Sequence, residues 1–440
     1  MATDVMFAGW GKVFIRQAPD AKGKKIQHLV WGDYIEVLSR AQEADGWLQV
    51  KGRGEVGWLH VDEVQGERLL EVNFVDGGQG DGAFLVPPDD EFSLVDAGEG
   101  DNMRRFLSWR FNLKLDRIND DDDNAPHEVD PRAIEFKFAV ISHGDQDHYQ
   151  GFARLFESER FRFDRIYHNT LVERPADSST ERLGERAGID GRTCVVGLIE
   201  TKADLEALLE QHTDKSTNYL KLLRMAAEGG RVGDIVGITR ETGFLRGFGA
   251  SNKAKNGKRL QIEVLGPVPL VDGNTRGMPD FGGLGKTKNG HSVVLRIRYG
   301  DVRLLLGGDL NVPAEEHLLL QSVGPEPSAN ASDDEWNAWL AEARKAFAVD
   351  IAKSCHHGSA DLSTTFLRAI DAAATVISSG DEESYCHPRP DTLGVIGRHG
   401  RGERPMIFST ELMRSTPEFF VKSVMKQQGV KDLLAGLRTA

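Results

Sequence analysis

The chain has 440 residues, 40% of them apolar and 28% charged, with 54 Lys and Arg against 68 Asp and Glu for a formal charge of −14. This length allows two or three domains that each bury a core, while the acidic balance excludes a protein that coats nucleic acid by neutralising phosphates unspecifically. No run approaches about eighteen apolar residues, MATDVMFAGWGKV lacks the order of a signal peptide, and Cys194, Cys355 and Cys386 form no disulfide framework, so a cytoplasmic location is expected.

Residues 1–66 predict a small β-barrel. Apolar alternation marks Val13-Phe14-Ile15, Tyr34 to Leu38, Trp47 to Val50 and Val56 to Leu59, with Gly and Asp at the turns between. The order of VFIRQAPD, GWLQV and GEVGWLHVDEV resembles bacterial SH3-like domains. That resemblance implies a surface that binds peptides or cell-wall fragments through exposed aromatics, with Trp10, Trp31, Trp47 and Trp58 as candidates. At least two of these are expected in the core, and a protein partner or intramolecular docking is favoured over cell wall.

Residues 67–440 change to longer elements. Leu69 to Val75, Ala83 to Val86 and Phe92 to Val95 read as strands around the turn Asp76-Gly77-Gly78-Gln79-Gly80-Asp81-Gly82. The acidic run Asp120–Asp123 reads as a solvated loop. Phe136 to Ser142 reads as one buried strand, and about 181–225 as mainly helical. Ser332-Asp333-Asp334-Glu335 is a capping box that starts a helix. Strands are expected at Gln261 to Leu265, Val293 to Tyr299, Val302 to Leu306, Val349 to Ala352, Ala374 to Ser378 and Met406 to Phe408, which suits a layered α/β protein.

The strongest chemical signal is Ile141-Ser142-His143-Gly144-Asp145-Gln146-Asp147-His148. It sets four metal-binding side chains within six residues at the exit of a buried strand, where a rigid element aims them at a common point. The spacing H-x-D-x-D-H resembles the H-x-H-x-D-H motif of the metallo-β-lactamase superfamily, with Asp145 at the second histidine position. The extra carboxylate hardens the site, favouring manganese beside zinc. FVDGGQGDGAFLV, FSLVDAGEG, SVVLRIRYGDVRLLLGGDLN, AKSCHHGSADLS and VISSGDEESYCHPRPDTL then follow in an order that resembles the nuclease-like domain of ComEC-type competence proteins, over about 68–410.

That resemblance implies an αββα metallo-β-lactamase fold and two divalent ions, zinc or manganese. His143, Asp145, Asp147, His148, Asp309 and His387 would be the metal ligands, with Asp309 bridging. Asp96 would support the ligand histidines from behind. His356 or His357 would contact phosphate or donate a proton, with the reversed assignment of these histidines and His387 kept open. Asn289 stands at the third-motif position, His291 is a substitute two residues on, and His168 is a remote candidate. Together these imply a metal-dependent phosphodiesterase, a nuclease in which loss of Asp147 would end metal binding and rate together. A small-molecule metallohydrolase of a cyclic nucleotide, phosphoester or lactone is the alternative, and an inert scaffold a third reading. Lys253, Lys255, Lys258 and Arg259 form a basic patch, read either as a guide for a DNA or RNA backbone or as a plain solvated loop.

Overall fold

In a computed structural model, the described residues are 4–410 except 79, 112, 114–132, 179–180, 214–215 and 381–385. The acidic run Asp120–Asp123 and Tyr385 lie outside them. Two compact units are present, one of residues 1–72, 85–91 and 253–259, the other of 73–84, 92–252 and 260–440.

The first unit is built on seven short strands, Val5–Ala8, Val13–Arg16, Lys25–Leu29, Tyr34–Ser39, Trp47–Gly52, Glu55–His60 and Val64–Gln65. Numbered along the chain, they lie in the order 3-2-6-5-4-1-7, each pair antiparallel. Alternation sends Val13, Ile15, Leu48, Val50 and Leu59 into one apolar core. The tryptophans depart from expectation, because aliphatic side chains alone fill that core. Trp10 is 82% and Trp31 48% exposed, and Trp47 and Trp58 are half-buried. The segment 253–259, with its four basic residues, belongs to this unit. There Lys253 bridges Arg259, the Lys255 N–H donates to Asp89, and Lys258 pairs with Glu67 at 3.3 Å.

Among the described residues the second unit holds two large sheets and a small one. In the first large sheet Ile134–Phe136, Phe161–His168, Phe138–Ile141, Ser93–Ala97, Gly82–Val86 and Glu71–Phe74 follow in spatial order, and Val232–Gly237 also pairs with Phe161–His168. Its central pairings are parallel. The predicted single strand from Phe136 to Ser142 is broken at Lys137, whose N–H bonds the Phe92 carbonyl at 2.8 Å. The second large sheet runs Leu260–Gly266, Val294–Tyr299, Val302–Leu306, Ile351–Lys353, Ala374–Ile377 and Met406–Ser409. Its first three strands pair antiparallel and the last three continue the sheet in parallel.

Helices cover the outer faces. Gln146–Glu157 turns His148, Tyr149, Phe152, Leu155 and Phe156 inward at helical spacing. It lies so close to Ser93–Ala97 that a Cβ on Gly151 would stand 2.2 Å from the Ala97 carbonyl oxygen. On the other side Leu318, Leu319, Ala343, Phe347 and Phe366 form one core with Val294, Leu305 and Ala352. The predicted capping box is present, Ser332 and Glu335 bonding each other's N–H groups at the start of Asp333–Phe347. The segment expected to be mainly helical instead opens with a hairpin, Arg186–Ile189 and Arg192–Val195, and its helices begin at Lys202. Asp190-Gly191 makes the turn, both residues at positive φ, and Asp-Gly between strands is a strong hairpin signal.

Glu315, on the helix Val312–Val323, is 2% exposed. Burial raises its carboxyl well above the ordinary glutamate value, against the Ser363 N–H that donates to it. The folded chain thus favours the protonated acid. Its contribution to stability is full below the unfolded pKa, near 4.5, and is lost as pH rises through the folded one. Glu315→Gln, which keeps the acceptor and cannot ionise, is expected to stabilise the protein at pH 8 by roughly 1–3 kcal/mol. The gain should close toward pH 4.5, and equal melting temperatures at pH 8 would contradict it.

Candidate metal centre

The candidate residues lie at the carboxyl ends of strands, the edge where open α/β sheets place ligands. Ser142 and His143 follow Phe138–Ile141, Asp309 follows the hairpin, and His356 and His357 follow Ile351–Lys353. Two hydrogen bonds tie these ends together, from Val293 N–H to the Ser142 carbonyl at 2.9 Å and from the Ser378 hydroxyl to the Gly80 carbonyl at 3.0 Å.

Asp81, His148, Asp309 and His357 are all buried, with ligand atoms within 4.8 Å of one another. Ring orientation divides them. His148 Nδ1 meets Asp96 Oδ2 at 2.9 Å, and His357 Nδ1 meets the Ser378 carbonyl at 3.0 Å. Each Nδ1 therefore carries the proton in the neutral ring and leaves an Nε2 lone pair free. The two Nε2 atoms face each other at 3.2 Å. His148 Nε2 is 3.3 Å from Asp309 Oδ1, and His357 Nε2 is 3.1 Å from Asp309 Oδ2. Asp147 Oδ2 closes the group at 3.5 Å from His357 Nε2 and 3.9 Å from His148 Nε2.

Asp81 lies on the opposite, Nδ1, side of both rings, at 3.3 Å from His357 and 4.0 Å from His148. Asp147, His148, Asp309 and His357 are therefore the four that could hold a cation between them, with Asp81 on the far side of the rings. Tetrahedral ligation at about 2.0–2.2 Å needs ligand atoms roughly 3.3–3.6 Å apart, close to the spacings here. Asp309 Oδ1, buried and with no hydrogen-bond partner, is the orphaned acceptor that a cation would satisfy.

Charge agrees with this. Burial would push the imidazolium forms down, yet the surrounding carboxylates, Asp309 foremost, hold His148 and His357 well above the ordinary histidine value. The pocket attracts positive charge. Burial alone would raise Asp81, but Lys353 and then His357 bring it down to about 2. The buried Lys353 ammonium pairs with Asp81, donates to the Gly308 carbonyl at 3.0 Å and lies 3.8 Å from Asp309. Nothing around Lys353 in the sequence announces this.

The backbone aims the ligands. His356 and His357 have φ of 48° and 53° and Gly358 has 79°, a left-handed turn that is sparsely populated outside glycine and concentrates at functional sites. Gly80, at φ 84°, faces the first turn of the ligand helix, where a Cβ would stand 1.7 Å from the Asp147 carbonyl oxygen.

The remaining candidates divide clearly. His143 is buried beside the set, its Nε2 without a hydrogen-bond partner and 3.8 Å from Asp145 Oδ2. Asp145 pairs with Lys288. Asn289, with its amide nitrogen turned toward Asp145, donates to Oδ2 at 2.8 Å. His356 Nε2 is 3.9 Å from Asp309 Oδ2 on a side chain 26% exposed, and burial lowers its pKa. His387, expected as the metal ligand, is not in the set. Its ring is 5.9 Å from that of His356, whereas His357, on the left-handed turn, has its Nε2 3.1 Å from Asp309. His291 does not substitute for Asn289, since its Nε2 bonds the Pro279 carbonyl at 2.7 Å and its ring stacks on Phe281. His168 ends its strand fully buried, and burial lowers its pKa to about 4.

Asp96 stands where the motif order placed it. Its Oδ1 accepts the Ser142 N–H at 2.7 Å while Oδ2 orients His148. Asp96→Asn leaves one acceptor for two donors. Divalent-ion affinity is expected to fall about 10- to 100-fold, read by competition with a chromogenic chelator; unchanged affinity would remove Asp96 from the support.

No family model matches the chain, and no curated protein matches it either. Solved structures similar to it include the metallo-β-lactamase fold protein YhfI from Bacillus subtilis, 10% identical over 78% of this chain and 96% of that one, TM-score 0.33. A diphosphatase of the PhnP family is 12% identical over 76% and 82%, TM-score 0.30. Zn(2+)-bound PqqB from Methylobacterium extorquens is 11% identical over 93% and 98%, TM-score 0.31. Scores this low carry no weight for activity. The chain has a mixed α/β architecture, and the solved structures it is similar to include a metallo-β-lactamase fold protein. Among the described residues no helix is long and apolar enough to cross a membrane.

Proposed function

We propose that the chain is a metal-dependent phosphodiesterase that hydrolyses DNA or RNA. The observation that carries this reading is the convergence of His148 Nε2, His357 Nε2, Asp309 and Asp147 on one buried point. A divalent cation held there would supply Lewis-acid stabilisation of phosphoryl charge and lower the pKa of water toward neutrality.

The chain's own groups do the rest. Asp96 and the Ser378 carbonyl fix the tautomers of the two histidines. Lys353 neutralises Asp81 behind them. His356, neutral and on the partly exposed side, would contact the phosphate or, once protonated, give its proton to the departing oxygen. Lys253, Lys255, Lys258 and Arg259 supply positive charge for a nucleic-acid backbone. Neutralising all four should flatten the salt dependence of cleavage. The exposed pair Trp10 and Trp31, edge to face at 4.8 Å, is assigned to a protein partner of the SH3-like barrel.

The deciding assay loads the protein with Mn(2+) or Zn(2+) and offers single-stranded DNA, duplex DNA, RNA and bis-p-nitrophenyl phosphate. Chelator-sensitive cleavage of a nucleic acid is expected. Turnover of the small ester alone would favour a small-molecule hydrolase, and no turnover with a loaded centre would overturn the catalytic reading.

A further inference from the structure

The half of the motif beside the donor set is already occupied by protein. A second ion would need Asp145, His143 and the third-motif residue Asn289. Asp145 is taken on both oxygens, Oδ1 by the Lys288 ammonium and Oδ2 by the Asn289 amide at 2.8 Å. Lys288 is held on its other side by Glu173 Oε2 at 3.0 Å, its side chain only 13% exposed. Glu173 in turn pairs with Arg182.

The charges on the two sides differ in balance. Asp145 and Glu173 meet two cations, Lys288 and Arg182. Asp81 and Asp309 meet one fixed cation, Lys353, and with Asp147 they otherwise face the His148 and His357 rings, whose extra protons a metal ion would displace. A divalent ion among the second group cancels surplus negative charge, whereas one beside Asp145 must first evict an ammonium from a partly buried ion pair, leaving charges unpaired.

We infer that the centre takes one divalent ion, held by Asp147, His148, Asp309 and His357, and that the Lys288 ammonium stands as its fixed second positive charge. This deepens the proposed function and rests on its metal-dependent reading. Lys288 also lines an open cleft with Tyr149, Arg182 and Asn218, so its charge is presented where an anionic substrate oxygen can meet it.

The test is a count of ions. Chelator-stripped protein is saturated with Mn(2+) or, separately, Zn(2+), passed through a desalting column and analysed for metal per chain. Wild type is expected to retain one. Lys288→Met frees Asp145 and lets Asn289 turn its oxygen inward, joining the unpartnered His143 Nε2, so two are expected. Asp145→Asn should stay at one. Two tightly held ions in wild type, or one in a folded Lys288→Met protein, overturn the inference. If that variant does not fold, Lys288→Gln serves in its place, and the wild-type count stands as a test by itself. No ion in any variant overturns the metal-dependent reading itself, a result distinct from a wrong count.

Discussion

His357→Ala is expected to strip the centre of its ion, whereas His387→Ala leaves the ion in place. His357 Nε2 lies 3.1 Å from Asp309, 3.2 Å from His148 Nε2 and 3.5 Å from Asp147, and its ring is locked by the Ser378 carbonyl. Alanine removes one of the donors and leaves Asp147 and Asp309 facing each other without it. Loss of residues that only orient ligands costs about 10- to 100-fold in affinity, so loss of the ligand should exceed ~100-fold, with rate falling in step. His387 is half-buried near His356 rather than among the donors. Its alanine variant should retain the ion by elemental analysis and lose, at most, rate. The opposite pattern would return His387 to the ligand set.

The second large effect concerns stability. Lys353→Met, measured in chelator-treated protein, should cost about 3–5 kcal/mol, the usual penalty for breaking a buried ion pair from one side. Lys353 and Asp81 are both nearly inaccessible, with side chains 4% and 9% exposed. Methionine leaves Asp81 charged, buried and without its counter-ion, and removes the donor to the Gly308 carbonyl. Adding Asp81→Asn should restore most of the loss, since replacing both partners is often near neutral. A single substitution that melts with wild type would show that the pair is not held as described.

What was legible in the sequence was what adjacency encodes. His143, Asp145, Asp147 and His148 fall in one short run, and the helix that begins at Gln146 places Asp147 and His148 in its first turn. Asp309 and Asp96 were legible only through the order of motifs in which they fall, since neither stands out by its own neighbours. Other features depended on contacts between distant segments. Lys353 and Asp81 are separated by most of the second unit, and a lone lysine on a short strand carries no pattern. Lys288 lies beside the third-motif position yet acts through Asp145 and Glu173, far back in the chain. That His357 rather than His387 faces Asp309 depends on positive φ at His356 and His357, which histidine spacing does not report. The hairpin around Asp190-Gly191 was missed for a different reason. Its strands are only four residues each, too short for a clear apolar alternation, though the turn dipeptide itself was readable.

The close approach of Gly80 to the Asp147 carbonyl has a consequence for large-scale mutagenesis. In a library scored by turnover, every replacement at this position must shove the ligand helix aside. Gly80 would then score as intolerant as a residue that grips the ion, although it has no side chain to offer one. A fitness map of this chain needs a parallel read-out of folding before its dead positions are read as chemistry.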